Sequence, residues 1–475
     1  MDVLVVGGGL SGVLVAEHLA AHGVRAAIFE AGPKLERRLP SCDRAGFDRA
    51  IQPLLEIDSA AWAYRSHGAP FDWLRVRAGG GRSLLWGGWC ARLDEQNLRD
   101  AKAFGAPWPF SPGDLDHHYH RVERRLGLRA VEVPEALGAI SRNLGLEVAP
   151  KLCAPGPCGC RAAVSLDWLR HASFSSNAVA LRVLFDARGR AAGLEIADAV
   201  TRETKAIKGR AIVLCASPIE TARLLLMSAP GGPAGAQGLI GKGLSDHLVA
   251  SYLLILPRPA PMPGVPGPLE RAAVVPRFVN RGRKQRRDYR GGFTIEVRGP
   301  MAIEPLGPEV LHALGIELAD SASLSQIQVH VIGEARPNPS RFVSLDDERK
   351  DTFGRPLPVI HFAFDDEDAK LARDMDEAGL AVAQALAVPG SRIIPFRAPL
   401  TTGGAGHEAG TCAMGRNAAR HPIDLSGAVR GVPGLYVADA SLLPTGLDRY
   451  PTLTVLALAL NVADGMIESA SRGEI

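Results

Sequence analysis

VLVVGGGLSG, residues 3–12, is the stretch whose reading decides the fold. Val3 to Val6 is a short aliphatic, β-branched run of the kind that forms a buried parallel strand. Gly7, Gly9 and Gly12 follow at the GxGxxG spacing with Leu10 and Ser11 between them, and Val13, Leu14, Ala16, Leu19 and Ala20 continue at helical spacing. At this spacing the first glycine permits the turn and the second lets backbone approach a pyrophosphate. The third lets helix and strand pack closely, so the helix N-terminus turns its positive end toward the phosphates. A lone GxGxxG is weak, because a nucleotide-free Gly-rich turn has the same letters. Here Ala26 to Phe29 reads as a second strand that ends in Glu30 and Ala31, roughly 20 residues on, where a carboxylate can bind a ribose 2′-hydroxyl. An acid there disfavours a 2′-phosphate and argues against NADP. These features predict a dinucleotide site and do not separate NAD from FAD.

At 475 residues the chain exceeds the size at which a single core stops growing, so two domains sharing a cofactor are expected. Its 46% hydrophobic and 22% charged residues describe an ordinary globular protein. The net charge of +3, from 54 basic against 51 acidic side chains, points to no polyanionic partner and hence to no nucleic acid. One basic run, Arg281 to Arg290, reads as a solvated loop. Apolar runs fall short of a bilayer span, and the first residues read as a core strand rather than a signal peptide, so a cytoplasmic protein is expected. Seven thinly spread cysteines do not form a disulfide framework.

Beyond Glu30 the segment to Trp73 has little periodicity, with one short helix expected near Phe47 to Leu55. AGGGRSLLWGGW, residues 78–89, gathers Gly80, Gly81, Arg82, Ser83, Trp86 and Gly87, which implies backbone packed against something flat or charged. Residues 108–128 read as a Pro-started turn and a helix. On it His117 and His118 point about 100° apart and no acid or cysteine completes a shell, so a solvated face rather than a metal site is expected. Cys153, Cys158 and Cys160 have neither zinc nor iron–sulfur spacing and read as loop-bracing.

From Ala178 strands alternate, and AIVLCAS leading into a helix at Pro218 marks a return to the nucleotide domain. Between 253 and 397, alternating segments suggest a mostly antiparallel sheet with one helix, Asp366 to Ala387. The expected organisation is therefore α/β: a Rossmann-like domain of residues 1–252 and 398–475, with excursions near 31–75 and 95–165, and an inserted α+β substrate domain of 253–397. In the closing segment Asp439 ends a strand before Ala440, and Pro451 fits a first helical position ahead of Thr452.

The chain resembles the glucose–methanol–choline family of FAD-dependent oxidoreductases, especially its short bacterial members. VGGGLSG with Glu30, GGRSLLWGG, WPFSPGDLDHHYHRVERRLG, SPIETARLLLMS, GKGLSDH, the Glu334 segment, HEAGTCAMG and GLYVADASLLPT followed by YPTLTVLALA carry the resemblance, in the family's order. It implies FAD, with phosphates on Gly7, Gly9 and Gly12, ribose on Glu30 and flavin between the Gly80 to Trp86 loop and the last helix. Asp439 would lie near the ribityl or pyrophosphate. The N-terminus at Pro451 and Thr452 would face flavin N1 and O2, where a helix's positive end stabilises negative charge. Some members attach FAD through a His in the glycine loop. Here that slot is Leu85, so FAD is expected to bind non-covalently.

The resemblance also places His407 before flavin N5, as a base or a hydrogen-bond partner of the substrate oxygen, and Glu334 near the substrate side. Tyr450 stands where the family carries Asn or His; a phenol can donate a hydrogen bond but is a poor base. The expected reaction is hydride abstraction from the CH–OH carbon of a small molecule, with His407 and Tyr450 at the reacting oxygen and oxygen, a quinone or a protein as acceptor. Two alternatives stand beside it: a redox, lyase or isomerase step on a natural-product scaffold, and a silent FAD-binding electron-relay subunit.

Overall fold

The computed structural model describes residues 1–34, 62–154, 165–228, 238–257, 272–276, 288–303, 308–317 and 323–475. The helix expected near Phe47, Cys42, Cys158, Cys160 and all of the basic run except Arg290 lie outside them.

Val3–Val6 is the centre of a five-stranded, all-parallel sheet. Ala26–Phe29 and Ser173–Ser175 lie to one side, Ala211–Leu214 and Leu435–Val437 to the other. Its three central strands are buried throughout, as expected where helices cover both faces of a parallel sheet. Helix Leu10–Ala21 leaves the central strand through Gly7, whose φ of +103° suits glycine, and a Cβ on Gly12 would stand 2.0 Å from the Gly7 carbonyl oxygen. The third glycine therefore sets the close helix–strand packing inferred from the sequence.

The C-terminal helix Thr452–Ser471 packs against Leu10–Ala21 and Asp116–Leu126. By length and composition it could cross a bilayer, which corrects the expectation that no run is long enough; 67% of its apolar window is buried within the fold. The face of Asp116–Leu126 turned to it is not solvated as expected. His118 is 2% exposed, with Nδ1 3.6 Å from Asp464 Oδ2, and Arg121 donates to the same carboxylate at 2.7 Å. Adjacent positions on a helix diverge, so burying one histidine leaves His117 outside.

A six-stranded antiparallel sheet stands against this unit, in the order Arg392–Arg397, His247–Pro257, Leu324–Glu334, Phe293–Ala302, Ala272–Val275 and Ala149–Pro150. Helix Asp366–Leu386 covers one face. Its N-cap Asp365 accepts from the Glu367 and Asp368 amides in a capping box, and Gly379 lets it approach Tyr252 and Val331. The opposite face, two residues per repeat, turns toward the parallel sheet. A short second helix, Pro308–Ala313, adds to the single one expected. The strands Phe342–Lys350 and Pro356–His361 join a separate sheet with Ala409–Thr411, Lys242–Ser245 and Arg65–His67.

Candidate active site

One cavity of about 580 Å³ runs between the two layers, from the glycine turn to the antiparallel sheet. Gly7, Gly9, Leu10, Ser11, Glu30, Ala31, Gly80, Gly81, Arg82, Ser83, Trp86, Gly87, Asp439, Ala440, Pro451 and Thr452 line it, together with His407 and Tyr450. Of the residues singled out from the sequence as site residues, Gly12 and Glu334 stay outside the lining; Gly12 packs helix on strand.

The nucleotide end is built from backbone. Gly9 bridges Gly80 of the glycine loop, and the Gly80 amide donates to Gly8 O at 2.9 Å. A Cβ on Gly9 would meet no protein atom within 4 Å, so the turn leaves open space there. Gly9 caps the first helix without a side-chain hydrogen bond, and no acid lies in its first turn. Helix-terminal N–H groups left without side-chain caps can serve an anion. Glu30 accepts from the Gly8 amide at 2.7 Å and the Gly32 amide at 2.8 Å, one on each oxygen, which leaves acceptor capacity on both. Burial raises its pKa.

Asp439 is more fully committed. It accepts from the Ser217 amide (2.9 Å) and Thr221 hydroxyl (2.6 Å) on one oxygen, and from the Ser441 amide (2.9 Å) and hydroxyl (2.5 Å) on the other. Four donors fill its roughly four lone-pair sites. The carboxylate thus fixes the Ser217 turn, where φ is +79°.

At the far end Arg82 donates to Gly406 O at 2.7 Å and pairs with the buried Glu408, tying the glycine loop to the segment that carries His407. Burial, then the neighbouring His247 and Arg82, hold the His407 imidazole well below its usual pKa. His247 decides which nitrogen of His407 bears the proton. Its Nε2 lies 3.1 Å from Gly446 O and 2.8 Å from Leu447 O, and two carbonyls require an N–H. Burial lowers the His247 pKa, so the ring is neutral and its Nδ1 carries a lone pair. His407 Nδ1, 2.9 Å away, is then the donor, and its Nε2 is left as an acceptor.

Tyr450 lies beside His407 with ring centroids 5.3 Å apart and donates its hydroxyl proton to buried Glu296, which also contacts Lys151, an amine whose pKa burial lowers. Burial pushes its pKa up to about 12. Glu334 does not line the cavity; its carboxylate accepts the Leu447 amide at 2.8 Å and so steadies one carbonyl that orients His247. Cys153 is buried where Leu152–Cys153 pairs with Trp89–Cys90, under the glycine loop.

Sequence reading missed His247 and the residues the antiparallel sheet adds to the cavity, Ser251, Arg298, His330 and Arg397. His247 sits in the quoted GKGLSDH motif without a partner visible from sequence. Ser251 and His330 do leave a signal, as polar residues on alternating positions of the apolar strands HLVASYLLILP and LSQIQVHVIGE.

Family models described as GMC oxidoreductase match residues 1–249 and 337–459. The 6'''-hydroxyparomomycin C oxidase of Streptomyces lividus is 26% identical over 97% of this chain and 90% of its own length. The 2-methyl-1,2-propanediol dehydrogenase of Mycolicibacterium austroafricanum is 27% identical over 74% of this chain and 64% of its own. Among solved structures, pyridoxine 4-oxidase from Mesorbium loti superposes with a TM-score of 0.62 at 19% identity, covering 98% of both chains.

Proposed function

Because the chain belongs to the GMC oxidoreductase family of FAD flavoproteins, we propose that it oxidises an alcohol carbon of a small molecule with His407 Nε2 as the base and FAD held without a covalent link. The residues present fit that cofactor. The open space at Gly9 and the uncapped first helix suit a pyrophosphate, Glu30 keeps acceptor capacity for a ribose, and the Trp86 indole N–H is buried with no protein acceptor. Pro451 and Thr452 bring a second N-terminus without a side-chain cap to the cavity. Leu85 offers no nucleophile for a covalent link. FAD supplies the hydride acceptor.

The chain's own residues handle the proton. His407 meets the substrate hydroxyl with the lone pair of Nε2, because His247 holds its Nδ1–H, and its lowered pKa keeps it neutral and ready at pH 7. Tyr450, its proton committed to Glu296, positions the substrate oxygen through its ring instead of acting as an acid. The single observation that carries the reading is the His247–His407 contact at the far end of the cavity that begins at the glycine turn. The 2-methyl-1,2-propanediol dehydrogenase and the 6'''-hydroxyparomomycin C oxidase, by their names oxidases or dehydrogenases, support an alcohol as substrate.

The test is an absorbance spectrum followed by anaerobic mixing with a panel of diols, sugars and hydroxy acids. A yellow protein whose flavin band bleaches, with bleaching lost in His407→Ala, is expected. A colourless protein that takes up no FAD, or bleaching indifferent to His407→Ala, would overturn the proposal.

A further inference from the structure

Where the antiparallel sheet faces the cavity, its register sets one polar row across four strands. Arg397 pairs with Ser251, Ser251 with His330, and His330 with Glu296, while Arg298 stands two residues along from Glu296 on the same face. On one side of it Val249 and Ile332 line the cavity, and on the other Arg298 pairs with Gln328. Arg397 ends the row on the outermost strand, and Arg298 stands beside its other end. Three strand spacings separate them, about 14 Å at the usual interstrand distance, so two arginine side chains can converge over its middle.

The charges in this row do not balance. Glu296 is the one acid within it, and it is already engaged by the Tyr450 hydroxyl and by Lys151, whose ammonium form burial disfavours. Arg298 reaches it only at 3.5 Å and rests over the Trp89 ring at 4.4 Å. Arg397 donates to the Gly403 and Thr401 carbonyls and forms no ion pair within 4.0 Å among the described residues. Its nearest acids are Asp72, which is exposed at the mouth, and Asp246, where burial and the Glu408 charge favour the protonated form. The Nε atoms of both arginines are buried without a hydrogen-bond partner. His330 lies between them, donor or acceptor to the Ser251 hydroxyl at 2.9 Å, and burial together with Arg298, Lys151 and Arg397 keeps it neutral. Arg298 shares the one acid of the row and Arg397 has no ion pair among the described residues, so this wall of the cavity carries an excess of positive charge that an anion would balance.

Resting on the alcohol-oxidising reading above, we propose that the substrate is a hydroxy acid whose carboxylate is gripped by Arg298 and Arg397 over His330. Arg298 adjoins Tyr450, and Tyr450 adjoins His407. The carboxylate and the reacting carbinol therefore belong to one small molecule, only a few bonds apart. Charge-assisted and bidentate contacts from guanidinium to carboxylate supply both affinity and orientation.

Binding of glycolate and lactate is compared with that of glycolamide and lactamide by calorimetry on the flavin-loaded enzyme, independently of turnover. Carboxylates binding at least 10-fold more tightly than their amides are expected, with the advantage weakening as salt rises. Arg298→Gln and Arg397→Gln should each erase most of it, while Arg298→Lys keeps a good part; melting temperature and flavin content of each variant show that it is folded. Equal affinity for acid and amide, or a preference untouched in both Gln variants, would overturn the assignment. That failure is separate from failure of the proposed reaction, which is read by flavin bleaching with neutral and acidic alcohols alike.

Discussion

Removing His247 should disable His407 without touching the cofactor or the substrate. In His247→Ala the Nδ1–H of His407 loses its acceptor at 2.9 Å, so the tautomer with its proton on Nδ1 is no longer held. Leaving a buried donor unsatisfied costs about 1–3 kcal/mol. At about 1.4 kcal/mol per decade, the form with a lone pair on Nε2 falls roughly 5- to 150-fold. The rate of anaerobic flavin bleaching should fall by that factor, with KM nearly unchanged, because no group that touches substrate has been removed. His247→Asn is the control. Its Oδ1 occupies about the place of the lost Nδ1 and can still accept from His407, so it should recover most of the rate even though the two carbonyls of Gly446 and Leu447 lose their donor. Stopped-flow reduction of each variant measures the rate, and 15N spectra of the imidazoles report the tautomer directly. Wild-type bleaching in His247→Ala at full flavin content, or equal losses in Ala and Asn, would refute the reasoning.

The glycine turn separates fold from cofactor. Gly12→Ala drives a methyl to within 2.0 Å of a backbone oxygen and should destabilise the protein by about 1–3 kcal/mol or more, read as a lower melting temperature. Gly9→Ala meets no protein atom, so the melting temperature of the flavin-free protein should hold while FAD affinity drops at least 10-fold. The pH profile of bleaching should lack an acid limb near the ordinary imidazole value of about 6.5, because the His407 pKa lies well below it: the base stays unprotonated, and the rate is kept, until pH falls much further. Tyr450→Phe should leave the alkaline side of that profile unchanged, since a phenol with a pKa of about 12 stays protonated throughout the accessible range.

The ends of the chain were legible because their chemistry is local. A strand, three glycines and a helix start lie within ten residues, and each glycine has one physical job that its spacing states: Gly7 the turn, Gly9 the open approach, Gly12 the close packing. The tautomer relay is the opposite case. It joins residues 160 positions apart, and its direction is set by the carbonyls of Gly446 and Leu447, which no side-chain pattern records. The polar row is intermediate. Sequence alternation exposes Ser251 and His330 as polar exceptions on apolar strands, but only the register aligns them with Arg397 and Glu296. Tyr450 shows how the two kinds of information meet. From its place before the last helix it reads as a donor to substrate oxygen, whereas the cross-strand row gives that proton to Glu296. The row's single acid thus takes the tyrosine's proton and faces Arg298 at 3.5 Å, and Arg397, with no ion pair among the described residues, is left for what enters the cavity.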